Sequence, residues 1–347
     1  MTARYRLFNR ADRFAEGWYW AMDARDLPRG GTATLRLFGR ELALFRAGDG
    51  RVSALDAHCP HMGAHLAEGF VEDDCLRCLF HGWKYDGAGR CVEAPGSPEG
   101  VPPAAARAAA WPAAEKYGLI WIWTGPKARR PPPFVPELEN EETDWSHGSA
   151  FVKDCHPNVV MVNAIDAHHF NTVHHLPVKI EMEQRIVDDN NIQFRNVTPV
   201  SRGSFLGRFI APFYKGALTY WMSYWYGSTG SVTLGPDLLH FHIIFALRAT
   251  ENGATEGRTL LVTKKRPGVL GWALNRVLLL LTNAVGSYFA HGDTKIFRSI
   301  RFDLKTPIAA DRPILRFIEH LERQAPSPWC REAPGETAPA PRRPVEA

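Results

Sequence analysis

Several things are scarce in this chain of 347 residues, and each scarcity excludes something. Six cysteines are too few for a disulfide scaffold. An excess of one charge sign is also missing. The 41 basic and 37 acidic residues leave a net +4, which argues against nucleic acid as the main partner. No long apolar run is free of polar interruption. The most apolar stretch, 268–290, contains Asn275, Arg276 and Asn283, and its longest aliphatic run is 277–281. A spanning helix needs about 18–20 apolar residues with few or no charges, so the expectation here is a buried helix. The opening residues, MTARYRLFNR, have no apolar core of a secretory leader, and the expected location is the cytoplasm. No Gly-rich dinucleotide fingerprint occurs; Gly48-Asp-Gly50 and Gly87-Ala-Gly89 read as hairpin turns. A content of 45% hydrophobic and 22% charged residues excludes a disordered or fibrous chain.

What is present falls into two parts. Residues 1–125 read as short alternating strands, among them 33–38, 41–46 and 118–124, punctuated by Gly- and Asp-rich turns. This predicts a small all-β domain. Five prolines between 126 and 136 make a stiff connector. Residues 137–328 alternate between helical and strand-like patterns. Segments 159–175 and 270–301 read as helical, with aromatic-rich strands over 192–248 between them. The expected class is α+β, with a central antiparallel sheet in this second domain. The Pro/Ala-rich tail, 332–347, is expected to be disordered.

Two constellations carry chemistry. In the first, Cys59-Pro60-His61 is followed, after sixteen intervening residues, by Cys78-Leu79-Phe80-His81. Thiolate and imidazole suit zinc or an iron–sulfur cluster. Zinc fingers put two Cys in one half and two His in the other, whereas each half here holds one of each. That arrangement resembles a Rieske [2Fe–2S] centre, in which two Cys hold one iron and two His the other. The surrounding text, CPHMGAHL and CLFHGWKYD, resembles the same family. Ala64 and Phe80 stand where the respiratory type has a second pair of Cys, so the resemblance is to the oxygenase and ferredoxin type. It implies that Cys59, His61, Cys78 and His81 bind the cluster, and that residues 93–96 form a loop covering it. His58 and His65 read as loop residues; Cys75, Cys91, Cys155 and Cys330 read as free thiols.

In the second constellation, His168, His169, His174 and His175 lie amid Val159, Val160, Met161, Val162, Ile165, Phe170 and Val173. Imidazoles clustered among apolar residues suggest a metal. Two His and a carboxylate with open positions form the usual non-haem Fe(II) site. On one ideal helix His169 and His174 lie about 140° apart, whereas His168 and His175 nearly share a face. Helix geometry alone therefore favours the second pair, or neither. The resemblance selects the first, because Rieske oxygenases carry Asp-x-x-His-x-x-x-x-His, which falls on Asp166, His169 and His174. A kink between the ligands is then implied. The resemblance places the third ligand late in the chain, on Asp293 in Phe289-Ala-His-Gly-Asp293, with His291 as a competitor. It gives Asp166 a hydrogen bond to the metal-bound His169 and to a neighbouring subunit's cluster ligand. It also places Asn163 beside the iron.

The resemblance covers nearly the whole chain and implies the oxygenase component of a Rieske non-haem iron oxygenase, of the homotrimeric type without a β subunit. Such an enzyme uses O2 and electrons from a separate NAD(P)H-dependent reductase, with or without a ferredoxin. It would hydroxylate, demethylate, desaturate or cyclise a fairly large apolar small molecule. The aromatic set between Phe205 and Phe245 is in keeping with a large apolar pocket. Two alternatives stand beside this: a membrane-associated sterol-type oxygenase with residues 272–281 at the interface, and a Rieske electron carrier with an appended domain.

Overall fold

The computed structural model of the chain describes residues 5–100, 102–174, 181–199, 217–236 and 239–330. The expected disordered tail and Phe205, Phe209, Phe213 and Tyr214 lie outside the described residues.

Turn chemistry sets the N-terminal architecture. Strands β1 (Trp18–Asp23), β2 (Thr32–Leu37), β3 (Arg40–Arg46) and β4 (Val52–Asp56) are followed by β5 (Phe70–Glu72), β6 (Cys75–Arg77), β7 (Lys84–Tyr85) and β8 (Cys91–Glu93). Next come β9 (Ala110–Trp111), β10 (Ala113–Lys116) and β11 (Leu119–Trp123). The β2–β3 hairpin turns on Phe38-Gly39, and both residues have positive φ, 51° and 77°. That is the primed two-residue turn whose twist matches the flanking strands. Three small antiparallel sheets result: β1-β11-β10, β2-β3-β4-β9 and β5-β6-β7-β8.

The second part is built on β12 (Thr143–Lys153), β13 (Glu183–Ile186), β14 (Asn191–Pro199), β15 (Ala217–Trp225), β16 (Thr229–Pro236), β17 (Phe241–Ala249) and β18 (Thr255–Lys264). These pair antiparallel in the order β12-β18-β17-β16-β15-β14-β13. Among the described residues the α-helices are few: α1 (Pro157–Asn163), α2 (Ala167–Thr172), the long α3 (Gly268–Phe297) and α4 (Arg312–Glu322). One buried core runs from Trp121, Trp123 and Tyr19 into Tyr224, Phe194 and Phe317, and a smaller one lies under the β5–β8 sheet. The C-terminal segment returns to the first part. Ser327 Oγ donates to Thr124 O at 2.8 Å, and Trp329 packs edge-on against Trp111.

Two expectations need correction. Residues 159–175 are not one helix: α1 ends at Asn163, and α2 restarts after Asp166. Pro157 opens α1 at a position where its missing N–H costs nothing. The apolar stretch beginning at Gly268 is helical but not buried, with only 22% of an 18-residue apolar window within it enclosed. One side of α3 packs on β12, β17 and β18, while Val269, Leu270, Trp272 and Leu280 face outward. Composition gave the helix but could not show how much of it the sheet covers.

Candidate active site

The two ligand loops repeat one design. β6 runs straight into Cys78, and Cys59 follows three residues after β4. In each loop the Cys carbonyl accepts the N–H of a glycine four residues on, Gly63 at 2.8 Å and Gly82 at 3.0 Å. Both glycines have positive φ, 79° and 71°, where a side chain would be strained. Cys59 and Cys78 are buried, while His61 and His81 sit at the exposed tips with ring centroids 4.6 Å apart. Trp83 lies flat against His61 at 4.3 Å, and the Tyr85 hydroxyl meets Cys59 Sγ at 3.1 Å. Burial, reinforced by the neighbouring Cys59, pushes the Cys78 thiol above its ordinary range. Thiols inside and imidazoles outside suit a cluster with a Cys-bound and a His-bound iron. The 93–96 loop packs beside them: a methyl group built on Gly82 would meet Pro95 at 3.5 Å. His58 and His65 brace the first loop through Gly63 O and Ala67 N–H.

The second site draws together residues far apart in sequence. His169 Nε2 lies 2.7 Å from Asp293 Oδ1, and His174 Nε2 lies 3.1 Å from the same oxygen. All three residues are buried, and their ligand atoms lie within 4.8 Å of one another. Two imidazole nitrogens and one carboxylate converging in a buried place suit a divalent iron. Asn163 Nδ2 donates to Asp293 Oδ2 at 2.9 Å and lies 3.2 Å from His169 Nε2. Tyr220 and Tyr224 donate to the carbonyls of Ala164 and Met161, pinning the α1–α2 turn to β15.

The helix break resolves the angular difficulty. α2 ends at Thr172, so His174 lies beyond the helix and is free of its 100° step. His168 is exposed; His175 and the side chain of His291 lie outside what is described. Asp166 departs from expectation. It is the N-cap of α2, and its Oδ1 accepts the N–H groups of His168 and His169 at 3.0 and 3.2 Å. His169 Nδ1 is buried without a hydrogen-bond partner among the described residues. The expected Asp166–imidazole bond is therefore not made in the single chain. Free N–H groups at a helix start draw a carboxylate to themselves.

A cavity of about 420 Å³ opens over these ligands, within the range of small-molecule sites. Phe151, Phe170, Tyr220, Phe245 and Phe297 line it, together with Lys153. Of the aromatic set singled out in the sequence, Tyr220 and Phe245 reach the cavity, whereas Tyr224 and Tyr226 are buried in the core. Sequence reasoning missed Lys153, Trp83 and Tyr85. The last two follow the second ligand loop directly, which was the available signal.

The fold and the two residue sets together define a chain with paired Cys/His loops on its N-terminal sheets and a buried His–His–carboxylate set in a sheet-rich second part. Residues 17–111 match the Rieske [2Fe-2S] domain family. The chain is 35% identical over 189 residues to aminopyrrolnitrin oxygenase PrnD of Pseudomonas fluorescens, covering 52% of each. It is 36% identical over 169 residues to the oxygenase component of 3-ketosteroid-9-alpha-monooxygenase of Rhodococcus rhodochrous, covering 47% of this chain and 43% of that one. These matches thus span about half the length of the curated relatives or less. Two solved structures share the fold. Dicamba monooxygenase bound to dicamba aligns with a TM-score of 0.57 at 23% identity, covering 89% of this chain and 97% of that one. NdmB of Pseudomonas putida CBB5 aligns at 0.62 and 16%, covering 88% and 89%. Residues 17–111 are thus a Rieske domain, and the matched half of the chain is similar to oxygenase components.

Proposed function

We propose that the chain is a Rieske-type oxygenase that uses O2 and reductase-derived electrons to oxidise a fairly large apolar small molecule. The observation behind this is the convergence of His169, His174 and Asp293 at the wall of an apolar cavity, in a chain that also has Rieske ligand loops. When bound, the cluster supplies single electrons and the iron supplies dioxygen-activating redox chemistry. The chain's own residues do the rest. Asn163 turns one oxygen of Asp293 away, so the other faces both imidazoles. The aromatic walls hold substrate and exclude water. The relatives include both a named monooxygenase component and a cholesterol 7-desaturase, so hydroxylation, demethylation, desaturation and cyclisation all remain within the proposal.

Electrons would come from an NAD(P)H-dependent reductase, with or without a ferredoxin. We place the enzyme in the cytoplasm, where the four cysteines outside the cluster stay reduced. We further propose a closed ring of three chains. Supporting this are the exposed imidazoles of His61 and His81 and the exposed side chains of Met62, Leu79 and Phe80 around them. His169 Nδ1, unpartnered among the described residues, also supports a contribution from a second chain.

Iron counting tests the main reading. The purified protein should hold about three irons per chain, two with acid-labile sulfide. The His169→Ala variant should hold about two. A wild-type protein with only the cluster would be an electron carrier, and one with zinc and no sulfide would be neither.

A second reading has its own observation. α3 exposes 88% of Leu270, 81% of Val269 and 70% of Leu280. No carboxylate occurs between residues 257 and 292, whereas Arg266 and Arg276 do. Such a face suits an anionic lipid surface, with Trp272 at headgroup level. Flotation with phosphatidylglycerol vesicles should carry the wild type up, and L270S/W272S should stay below. Equal flotation of the two would remove this reading.

A further inference from the structure

Lys153 is the last residue of β12, and its ammonium lies in the cavity wall beside the metal-ligand set. It donates to Thr294 Oγ1 at 2.8 Å, and Thr294 in turn donates to the Ala290 carbonyl at 3.0 Å. The rings of Phe151 and Phe297 flank the ammonium, each with its centroid 5.8 Å away. It makes no ion pair among the described residues. The nearby carboxylate, Asp293, is already engaged by two imidazoles and by Asn163. Apart from the two histidine ligands, Lys153 is the one basic side chain among the described residues lining the cavity.

An ammonium has three N–H donors, and Thr294 takes one. In the open cavity water serves the other two. When an apolar substrate displaces that water, the charge loses its hydration. A buried charge without a counter-charge is costly, and a neutral acceptor would restore a hydrogen bond but not the balance of charge. The occupant that closes this account is an anion held by charge-assisted hydrogen bonds.

We propose that Lys153 is a specificity-determining residue and that the substrate class is an apolar molecule bearing one carboxylate. The carboxylate docks on Lys153, whose partner Thr294 follows Asp293 on α3, and the aromatic walls take the hydrocarbon body. This deepens the oxygenase reading and rests on it for the word substrate. Its test involves no turnover, so the two can fail separately.

The test is calorimetric titration of the holoprotein with three ring-matched probes: 2-naphthoate, its methyl ester and 2-naphthylmethanol. The wild type should bind the acid at least tenfold tighter than the ester or the alcohol. K153M should lose that preference while binding the ester as the wild type does, and K153R should retain it. The Rieske spectrum and thermal midpoint of K153M verify that the variant is folded and cluster-loaded. Equal wild-type affinity for acid and ester, binding of none of the probes, or a preference that survives in K153M would each overturn the proposal.

Discussion

Asn163 and Asp293 meet across 130 residues of sequence, with Asn163 Nδ2 donating to Asp293 Oδ2 at 2.9 Å. That bond leaves Asp293 Oδ1 as the oxygen facing His169 and His174. The candidate metal site is thus oriented by a residue of α1 acting on a residue of α3. Supporting hydrogen bonds of this kind typically alter metal affinity about 10- to 100-fold. Asn163→Ala should weaken mononuclear iron binding by that factor, measured by competition with a chelator, and leave the Rieske spectrum untouched. An unchanged affinity would show that Asp293 is held by its helix alone.

Asp166 offers a cleaner separation of roles than the sequence suggested. Asn is as good an N-cap as Asp, so Asp166→Asn keeps the start of α2 while removing the charge. The proposed ring needs that carboxylate to join two subunits. The variant should load both centres and be reduced by its reductase, yet form product more slowly by orders of magnitude. Fast product formation by a protein that stays monomeric in sedimentation would defeat both the ring and the bridge.

The exposed imidazoles predict a spectroscopic change. Replacing His81 with Cys puts a thiolate on the iron that His61 also serves. The visible and EPR spectra of the reduced protein should shift, while Cys59 and Cys78 still anchor the buried side. Spectra identical to wild type would mean that His81 is not a ligand.

Acid stability should depend on His156, which lies outside both metal sites. Its Nδ1 accepts from Asn158 N–H as the α1 N-cap, and its Nε2–H donates to the Arg10 carbonyl, so the ring is held neutral. Burial lowers its pKa to about 4. A depressed folded-state value means that the unfolded chain takes up the proton first. Stability is therefore full above about pH 6.5 and falls as the pH drops toward 4, by on the order of 3 kcal/mol for this one ring. His242, likewise lowered to about 4 by burial, acts in the same window. His156→Asn keeps a cap without titrating. Between pH 7 and 4.5 it should lose roughly 2–3 kcal/mol less unfolding free energy than the wild type in denaturant titrations.

What the sequence displayed was local. The Cys59–His61 and Cys78–His81 loops are read within a few residues, because backbone turns alone bring each Cys and His together. The β2–β3 hairpin was legible for the same reason. The histidine pair near α2 was ambiguous because periodicity assumes an unbroken helix, and nothing local announces that α2 ends at Thr172, between His169 and His174. The exposure of Leu270 was hidden because apolar composition does not reveal what covers a helix. Lys153 was invisible for the complementary reason: its importance comes from β12 lying beside α3, a pairing separated by more than a hundred residues.

That separation also orders assembly. The proposed cluster ligands and the N-terminal sheets that carry them are complete once the chain has passed Trp123, so the first centre can be built on residues 1–125. The second cannot, because His169 waits 124 residues for Asp293. A chain that has emerged only as far as β18 has both histidines and no carboxylate to close the site. Iron loading must then follow the docking of α3 and cannot guide it, since so long a loop closes late in folding. Once in place, an ion held there ties α2 to α3, and its binding free energy adds to the stability of the whole second domain. For the proposed enzyme, maturation therefore has a built-in sequence, sulfur-bound iron first and the lone iron last.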